Sequence, residues 1–300
     1  MLQSFLDYLL YERNRARLTV QAYKNDISGF AKWLNKDNPG NVDFASVTSS
    51  DVRAWLATLS RQGISPRSLR RKAQSLRALF MWMLKTNKIK VSPLRDIPLP
   101  KVPKHLPDIV RREEIEEVLK SSDSGFHEGT PRAVLESLII EILYTLGLRR
   151  AELASLKDED ISFYNAEIKV TGKRSKQRIV PVPEELLSKI KEWQAVRDKE
   201  EINNDEGYLF FLNGKKLKEA AIYYIVNKNF KHSSAKKKSP HALRHSFASD
   251  MLNGGANLDS VREFLGHASL ATTQIYTHIS LKEIKSAYAS AHPRASEPKK

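Results

Sequence analysis

The 300-residue sequence contains no cysteine. This absence excludes disulfide bridges, thiolate zinc sites and cysteine nucleophiles, and it is typical of proteins in a reducing cytoplasm. The sequence also lacks any apolar run near the roughly 18 residues that a membrane-spanning helix needs, and the segment after Met1 has a helical pattern rather than that of a signal peptide. We therefore expect a cytoplasmic protein without a membrane partner.

Acidic residues are scarce relative to basic ones. Lys and Arg number 50 against 35 Asp and Glu, which gives a formal net charge of +15. Within residues 1–100 the balance is 17 to 7, and between Arg61 and Lys90 nine basic residues occur without one acid. A solvated helix face is one interpretation, but clustering on this scale favours contact with the phosphate backbone of a nucleic acid.

The first ninety residues have helical periodicity throughout. Apolar residues spaced three and four apart predict four helices, of which the second is capped by Thr19, the third by Ser49 or Ser50, and the fourth begins at Pro66. The apolar positions of the fourth helix leave most of its arginines on other faces. The candidate DNA-binding residues in this helix and the stretch after it are Arg67, Arg70, Arg71, Arg77 and Lys101.

Five of the thirteen prolines fall within residues 91–110, which predicts an extended linker between two domains. We place the domains at residues 1–90 and 111–293, and a polar tail at 294–300. The second domain is predicted to hold helices at 112–121 and 130–146, a β-hairpin with strands 168–170 and 179–182, and further helices at 239–252, 258–265, from Ser269, and at 280–291. The fold class is therefore mainly α with a small antiparallel β-sheet.

The first segment whose side chains suggest a functional site is residues 147–153, Gly-Leu-Arg-Arg-Ala-Glu-Leu. An arginine just after a helix-ending glycine is placed to project into a cleft, and the glycine spacing favours Arg149 over Arg150. Glu152 lies three residues on, on the same helical face, which predicts a bidentate pair with Arg149. An exposed arginine at a helix start is the alternative for this segment taken alone.

Two further segments carry cationic side chains. Lys173 lies in the turn of the predicted hairpin, where a lysine is by itself usually only solvated. His241 and Arg244 share one face of a first helical turn, where free N–H groups and the positive end of the helix dipole favour an anion. His245 follows His241 at a spacing of four, which also occurs in zinc sites, but no nearby acid completes a ligand set, so we expect no metal.

The last segment combines His267 with Tyr276 nine residues later. Two arginines, a lysine, histidines and a tyrosine suit displacement at a phosphodiester. The arginines neutralise charge on the phosphorane, the tyrosine oxygen attacks phosphorus, and a lysine or histidine protonates the departing sugar oxygen. Fixed positive charge then does the work of metal ions, so this chemistry predicts no cofactor.

These motifs resemble those of the tyrosine recombinases, most closely the bacterial Xer site-specific recombinases. Residues 147–153 are similar to the first-arginine box of that family, 171–173 together with 178–181 to the hairpin that carries its lysine, and 241–248 to its H-x-x-R box. The segments that are similar to its last histidine and its nucleophile are 265–267 and 276–278. The order and gaps also agree over essentially the whole chain. Leu146 departs from the pattern, since relatives often have threonine there, and we expect it to affect packing only.

The resemblance implies a division of chemical roles. Tyr276 would be the nucleophile and form a 3′-phosphotyrosyl link to DNA, and Lys173 would be the general acid. Arg149 and Arg244 would stabilise the phosphorane. His241 and His267 would assist proton transfer or bind the scissile phosphate. Glu152 and His245 would be supporting residues.

The resemblance also implies an architecture and a biological role. A SAM-like four-helix core-binding domain and a catalytic domain would form a clamp round double-stranded DNA. Four copies of this chain, or two each of this chain and a related recombinase, would exchange strands through a Holliday junction without ATP, joined through the C-terminal helix. The expected role is resolution of chromosome dimers at a dif-like site during chromosome partition and cell division, with a septal DNA translocase of the FtsK kind as an activator. The alternatives are an integrase of a phage or mobile element, a non-catalytic DNA-binding protein and, for the C-terminal helix, packing on its own domain.

Overall fold

The computed structural model describes most of the chain, and the chain divides into two units, Met1–His105 and Leu106–Lys300. Each unit has its own core of buried apolar residues. Side chains within helices are described except at 122–128 and 281–283. The described residues are 1–35, 37–99, 101, 109–128, 130–172, 176–199, 204, 206–212, 215–266 and 281–295.

The described residues of the N-terminal unit form four helices, as predicted. Their apolar faces meet in one core, in which Phe30 stacks on Trp33 and packs against Trp55 with ring centroids 5.0 Å apart. Phe80 of the fourth helix is fully buried in the same core. The helices are α1 (Leu2–Asp7, followed by a π-helical turn Tyr8–Glu12), α2 (Arg17–Leu34), α3 (Ser49–Arg61) and α4 (Pro66–Lys85).

Two of the predicted helix starts are wrong, by three residues for α2 and by one or two for α3. Helix α2 begins at Arg17, so Thr19 lies inside the helix instead of capping it. Helix α3 is capped by Thr48, whose hydroxyl accepts a hydrogen bond from the backbone of Asp51, while the Asp51 carboxylate accepts one from the backbone of Thr48. This reciprocal pair satisfies two free donors at once, which a serine cap alone does not. The predicted start of α4 at Pro66 is confirmed.

The described part of the proline-rich stretch after α4 contacts the N-terminal unit. Leu94 and Ile97 are buried in the core of the N-terminal unit. The Arg77 guanidinium donates hydrogen bonds to the carbonyl oxygens of both residues, at 3.4 and 2.8 Å. The predicted linker is therefore anchored on the N-terminal unit at Leu94 and Ile97, and the division between the two units falls farther along the same stretch.

The described residues of the C-terminal unit are mainly helical and include a three-stranded and a two-stranded antiparallel sheet. The elements are α5 (Arg112–Glu128), α6 (Pro131–Thr145), α7 (Arg150–Ala154), β1 (Ile161–Ser162), β2 (Glu167–Thr171), β3 (Gln177–Pro181), α8 (Glu184–Lys199), β4 (Phe211–Leu212), β5 (Lys215–Lys216), α9 (Glu219–Asn229), α10 (Pro240–Asn253), α11 (Leu258–Leu265) and α12 (Leu281–Ala291). The helix predicted from Ser269 lies outside the described residues. Within these elements, no helix is both long enough and apolar enough to cross a bilayer.

Helix α6 is the centre of the C-terminal unit. It contacts α5, α8, α9 and α10, and its residues are buried on every side, which is the pattern of a core helix rather than a surface helix. The helix ends at Thr145, and Leu146 after it is fully buried. The next residue, Gly147, has a left-handed φ of +56°. A Cβ at Gly147 would lie 2.6 Å from the Phe247 ring and 2.9 Å from Leu265, so only glycine allows α10 and α11 to approach here.

The predicted β-hairpin is confirmed. Strands β2 and β3 pair antiparallel, with Val170 opposite Arg178, and Gly172 donates a backbone hydrogen bond to the carbonyl of Lys176 at 2.7 Å. The short strand β1, which the sequence pattern did not predict, pairs with the outer edge of β2. The sheet brings the base of the hairpin turn next to α7.

The C-terminal helix packs on its own domain in this structure. Ile284 and Tyr288 are buried in the same core as α6, and the Tyr288 hydroxyl donates to the carbonyl of Thr145 at 2.9 Å. At Gly254 a Cβ would lie 2.1 Å from the carbonyl oxygen of Ala291, so the ends of α10 and α12 touch backbone to backbone. Within the single chain the apolar face of α12 is therefore covered by its own unit. The link between subunits through this helix stays a prediction.

Candidate active site

The first arginine box folds as a short helix whose first turn holds Arg149 and Glu152 together. Glu152 is buried, and one carboxylate oxygen accepts from the Arg149 guanidinium at 2.6 Å while the other accepts from the Arg149 backbone N–H at 2.9 Å. The predicted pairing is therefore present, but it is not the bidentate guanidinium pair that we expected. Arg150 turns the other way and binds Glu219 on α9 at 2.9 Å, so the structure separates the two adjacent arginines.

The bidentate partner of Glu152 is Arg178 on strand β3. Two nitrogens of the Arg178 guanidinium donate to the two oxygens of Glu152, both at 2.9 Å. Burial opposes ionisation of Glu152, but the hydrogen bonds and charge of Arg178, followed by those of Arg149, hold the pKa of Glu152 below its usual range. The carboxylate is thus charged and fixed at both oxygens.

Arg244 is the most deeply buried arginine of the site, at 5% exposure. It lies on α10 and donates to the carbonyl oxygens of Gly147 and Leu265, both at 2.6 Å, and one of its nitrogens is 3.9 Å from Glu152. Burial, followed by repulsion from Arg149, lowers the pKa of Arg244 to about 9. The guanidinium therefore still carries its proton at neutral pH, with N–H groups left over for an anion.

The end of helix α11 is the meeting point of these arginines. Its last carbonyl groups have no partner inside the helix and lie at the negative end of the helix dipole, where cations are stabilising. Arg149 donates to the carbonyl of Gly266 at 3.0 Å, and Arg178 donates to the carbonyl of Phe264 at 2.9 Å. Gly266 itself is left-handed, with φ +63°. Three cationic side chains from separate elements thus converge around one carboxylate and one helix end.

His241 lies in the first turn of α10, one turn before Arg244 and His245. Its side chain is exposed, and partial desolvation, followed by repulsion from His245 and Arg244, lowers its pKa, so the imidazole is neutral at neutral pH. His245 is also exposed and has no hydrogen-bond partner among the residues described. The charge of His245 contributes to the lowered pKa of His241, and the supporting role predicted for His245 stays a prediction. Among the described side chains, no group of three metal-ligating residues comes together.

A basic groove lies beside His241. It has a volume of about 540 Å³ and an edge built from the loop between α9 and α10. The loop is held by a hydrogen bond from Asn227 to the carbonyl of Lys238 at 3.3 Å. The groove is lined by Arg150, Tyr223, Asn227, Lys231, Lys236, Lys237, Lys238, Ser239, Pro240 and His241. Its cationic side chains favour an anionic polymer.

The five DNA-binding candidates outside the C-terminal unit have different surroundings. Arg67 and Arg70 on α4 and Lys101 after it are exposed. Arg71 forms an ion pair with the buried carboxylate of Asp26, although 45% of the Arg71 side chain remains exposed. Arg77 is engaged with the stretch after α4, as described above. The exposed cations are therefore those best placed for an external phosphate.

Three predicted catalytic residues, Lys173, His267 and Tyr276, lie outside the described residues. The described chain reaches the residue just before two of them. Gly172, just before Lys173, is so close to the site that a Cβ there would lie 3.5 Å from an oxygen of Glu152. Gly266, just before His267, accepts from Arg149. The chain thus enters both segments from the arginine cluster.

Two features of the site were missed by the sequence reasoning. Arg178 was noted only as part of the hairpin motif, although it is in phase with buried Val180 while Ile179 between them is exposed. An arginine at an inward position of a strand needs a partner, and this was the available signal. The second feature is the loop 231–238, which contains four lysines and no acid.

Comparison with protein-family models gives matches along both units. Residues 109–283 match the model described as the phage integrase family, and residues 2–87 match the phage integrase N-terminal SAM-like domain. The chain is 34% identical over 299 residues to the tyrosine recombinase XerD of Listeria monocytogenes, covering 98% of this chain and 99% of that protein. It is 33% identical over 297 residues to the tyrosine recombinase XerC of Bacillus pumilus, with coverages of 97% and 95%.

Solved structures give a similar result. The XerH site-specific recombinase bound to palindromic difH substrate, in a post-cleavage complex, matches with a TM-score of 0.70 and 25% identity, covering 96% of this chain and 84% of that chain. The pre-cleavage complex of XerH with difH matches with a TM-score of 0.67 and 26% identity, with the same coverages. Both neighbours are protein–DNA complexes.

Proposed function

The chain belongs to the phage integrase family, as a tyrosine recombinase of the XerC/XerD type, and from this premise we propose how it recombines DNA and where. Tyr276 attacks the scissile phosphate, and the strands are exchanged through a 3′-phosphotyrosyl intermediate and a Holliday junction. The observation that carries the proposal is the convergence of Arg149 and Arg244, from elements 95 residues apart, beside the end of α11.

The chemistry of the proposed step needs only protein groups. The Tyr276 phenolate oxygen forms a bond to phosphorus, and the bond from phosphorus to the 5′ oxygen of the next nucleotide breaks. The departing oxygen takes a proton from Lys173 and becomes a 5′ hydroxyl. In the second half of the reaction a 5′ hydroxyl from the partner strand attacks the phosphotyrosine and releases the tyrosine, so the number of phosphodiester bonds is unchanged and no ATP is consumed.

The two arginines supply the electrostatic part of the reaction. Negative charge on the non-bridging oxygens grows toward the phosphorane, and guanidinium groups held rigidly in a partly dry cleft stabilise that charge without reorganisation. Arg149 is held by Glu152 and Arg244 by two backbone carbonyls. Each therefore approaches the phosphate in a fixed orientation.

The histidines take part beside the arginines in this proposal. His241 is neutral at neutral pH, because its pKa is lowered, and a neutral imidazole can donate a hydrogen bond to a phosphate oxygen or accept a proton from the tyrosine. His267 follows the Arg149-bound Gly266 in the chain. We assign it a similar role on the strength of its place in the family motif.

Double-stranded DNA would be held by cations of both units. We propose that the lysine-lined groove beside His241 binds the backbone next to the scissile phosphate, and that Arg67, Arg70, Arg71, Arg77 and Lys101 contribute to binding from the other unit. Phosphate contacts of this kind fix the register of a protein on DNA and account for much of its affinity. We keep the domain limits at residues 1–90 and 111–293 as part of this proposal.

The proposed biological role is resolution of chromosome dimers. Curated relatives that match this chain over nearly their whole length include XerC and XerD proteins, and the XerH neighbours are bound to a difH site. We propose a dif-like target, a tetramer of this chain alone or with a related recombinase, and activation by a septal DNA translocase. Integration of a mobile element is the second candidate, because solved neighbours also include the integrase of the transposon Tn1549.

The covalent intermediate is the decisive test. A duplex nicked near the cleavage position loses the short freed strand after cleavage, so the protein–DNA ester accumulates and is seen on a denaturing gel. We expect the ester with the wild-type chain in the presence of EDTA, and peptide mapping should place it on Tyr276. Tyr276→Phe should bind the duplex and form no ester, whereas Tyr164→Phe, at a tyrosine that is 98% exposed, should behave as wild type. An ester that persists in Tyr276→Phe contradicts the proposal.

The target separates the two biological roles. The same assay run on dif-like chromosomal sequences and on the ends of mobile elements should give ester only on the former. Ester formation confined to element ends would replace the chromosomal role with integration and leave the chemistry unchanged.

A further inference from the structure

The last three carbonyl groups at the end of α11 are each held by a different arginine. Phe264 accepts from Arg178, Leu265 from Arg244 and Gly266 from Arg149, at 2.9, 2.6 and 3.0 Å. A helix end normally leaves these groups to water or to a glycine cap. Here the helix end is tied to the same side chains that surround Glu152, immediately before His267.

Arg178 differs from the other two arginines in its position. Only 15% of its side chain is exposed. Its fork covers both oxygens of Glu152, and its third nitrogen reaches α11, so its polar groups face protein. It also belongs to strand β3 of the β2–β3 hairpin, named the lysine hairpin here because its two strands flank Lys173 in the sequence. Arg178 therefore contacts the arginine box and the end of α11 from the lysine hairpin.

The geometry at Glu152 shows why this contact matters. Each carboxylate oxygen accepts one bond from Arg178 and one from Arg149, so the Arg178 fork fixes the plane in which Glu152 receives Arg149. Without the fork, the carboxylate keeps two bonds to Arg149 but is free to turn toward Arg244, whose nearest nitrogen is 3.9 Å away. Either arginine would then lose its orientation toward the phosphate.

We propose that Arg178 is a positioning residue of the strand-cleavage reaction, which orients Arg149 through Glu152 and aligns the lysine hairpin with the end of α11. The proposal rests on the proposed function, because it assigns Arg178 to the same site without contact to the reacting atoms. It predicts a defect in chemistry with little effect on DNA affinity.

The first measurement separates binding from chemistry. Arg178→Met keeps the length of the side chain and removes the fork, and Arg178→Lys keeps the charge with a single donor group. At saturating nicked duplex, we expect Arg178→Met to form the ester about 100-fold more slowly, the scale on which a displacement near 1 Å acts, and Arg178→Lys about 10-fold more slowly. The Kd for intact duplex should change less than about threefold. Arg262→Met, at an exposed arginine on α11, is the matched control and should match wild type.

The second measurement is a pH profile, which a merely structural role would not alter. Glu152 is faced by Arg149 at the start of α7, Arg178 on β3 and Arg244 on α10. Removing Arg178 leaves the burial that disfavours the charged carboxylate and takes away its strongest partner, so the pKa of Glu152 rises. Protonated Glu152 holds Arg149 less firmly. The ester-forming rate of Arg178→Met should therefore fall at a higher pH than that of wild type as the solution is made acidic.

The outcomes are distinct for the two proposals. Absence of ester with wild-type protein on every candidate site overturns the proposed function. Ester with wild type, and unchanged rate and pH profile in both Arg178 variants, overturns the positioning role alone. A rate that falls only in proportion to the folded fraction, measured by thermal unfolding, with the wild-type pH profile, also overturns it. Should Arg178→Met not fold, Arg178→Lys must show both the slower rate and the displaced profile for the role to stand.

Discussion

Replacing one carboxylate oxygen tests the energetics of the arginine cluster. Glu152→Gln keeps the size of the side chain, removes its charge and turns one acceptor into a donor. Glu219→Gln is the matched control, because it makes the same change in the partner of the adjacent arginine, Arg150. The two carboxylates differ in burial. Glu152 has 3% of its side chain exposed and Glu219 has 44%.

The difference in burial sets the expected magnitudes. Glu152 accepts four hydrogen bonds from two arginines, and a third arginine lies 3.9 Å away. Breaking a buried charge pair by removing one partner costs about 3–5 kcal/mol, because the remaining charges are left unbalanced in a dry site. An exposed pair such as Arg150 with Glu219 contributes about 0–1 kcal/mol. The same chemical change should therefore differ by roughly 3 kcal/mol between the two positions.

Urea unfolding of the full chain measures this difference. With a slope of about 1–3 kcal/mol per molar urea, a loss of roughly 3 kcal/mol lowers the midpoint of the C-terminal transition by about 1 M or more. Fluorescence of Trp193, which is buried in that unit, reports the transition. Equal midpoints for the two variants would refute the reasoning, since they would mean that the three arginines tolerate one another without Glu152.

Three other predictions concern the C-terminal helix, a buried histidine and the basic groove. Tyr288→Ala should lower the free energy of unfolding by about 3–5 kcal/mol, because it empties a site that is 97% buried and removes the hydrogen bond to Thr145. Tyr288→Phe removes only the hydrogen bond and should lower it by about 1 kcal/mol. Urea unfolding measures both changes. Burial, followed by repulsion from Arg294, lowers the pKa of His292 from 6.5 to about 3; because the unfolded chain then binds the proton more readily, stability is complete above pH 6.5 and falls on acidification, by about 2 kcal/mol at pH 5. His292→Phe should lack that part of the pH dependence, and an identical dependence in both proteins would contradict the assignment. Lys236→Ala should weaken DNA binding equally for all sequences and reduce the slope of log K against log salt by about 0.9, as measured by anisotropy titrations at several salt concentrations.

Local patterns were sufficient to predict most of the helices and the hairpin. Apolar spacing and the Ser65-Pro66 start predict α4 correctly, and β-branched runs predict the two paired strands. Errors occurred where two weak local signals compete. The cap of α3 is Thr48 rather than a neighbouring serine, because Asp51 reciprocates its hydrogen bond, and such a pair depends on side-chain geometry as well as on residue type.

The site was predicted as a set of residues but not as a network. Sequence order and motif spacing indicated Arg149, Glu152 and Arg244, and the structure brings these three together. The bidentate partner of Glu152 is 26 residues away on another element, and no local period reveals such a pair. For a related reason the sequence leaves open what the C-terminal helix packs against. An amphipathic pattern states that one face is covered and does not say which chain covers it.

The arginine cluster carries an excess of positive charge in the protein without DNA. Three guanidinium groups share one carboxylate, so the cleft holds a surplus of two positive charges among partly dehydrated walls. Repulsion among these guanidinium groups destabilises the protein without DNA, and the negative charge of a bound phosphodiester reduces that repulsion. Substrate binding and folding of the catalytic unit should thus reinforce each other, so that occupied protein melts at a higher temperature than empty protein. The electrostatic free energy of the catalytic unit is therefore lowest when DNA is bound.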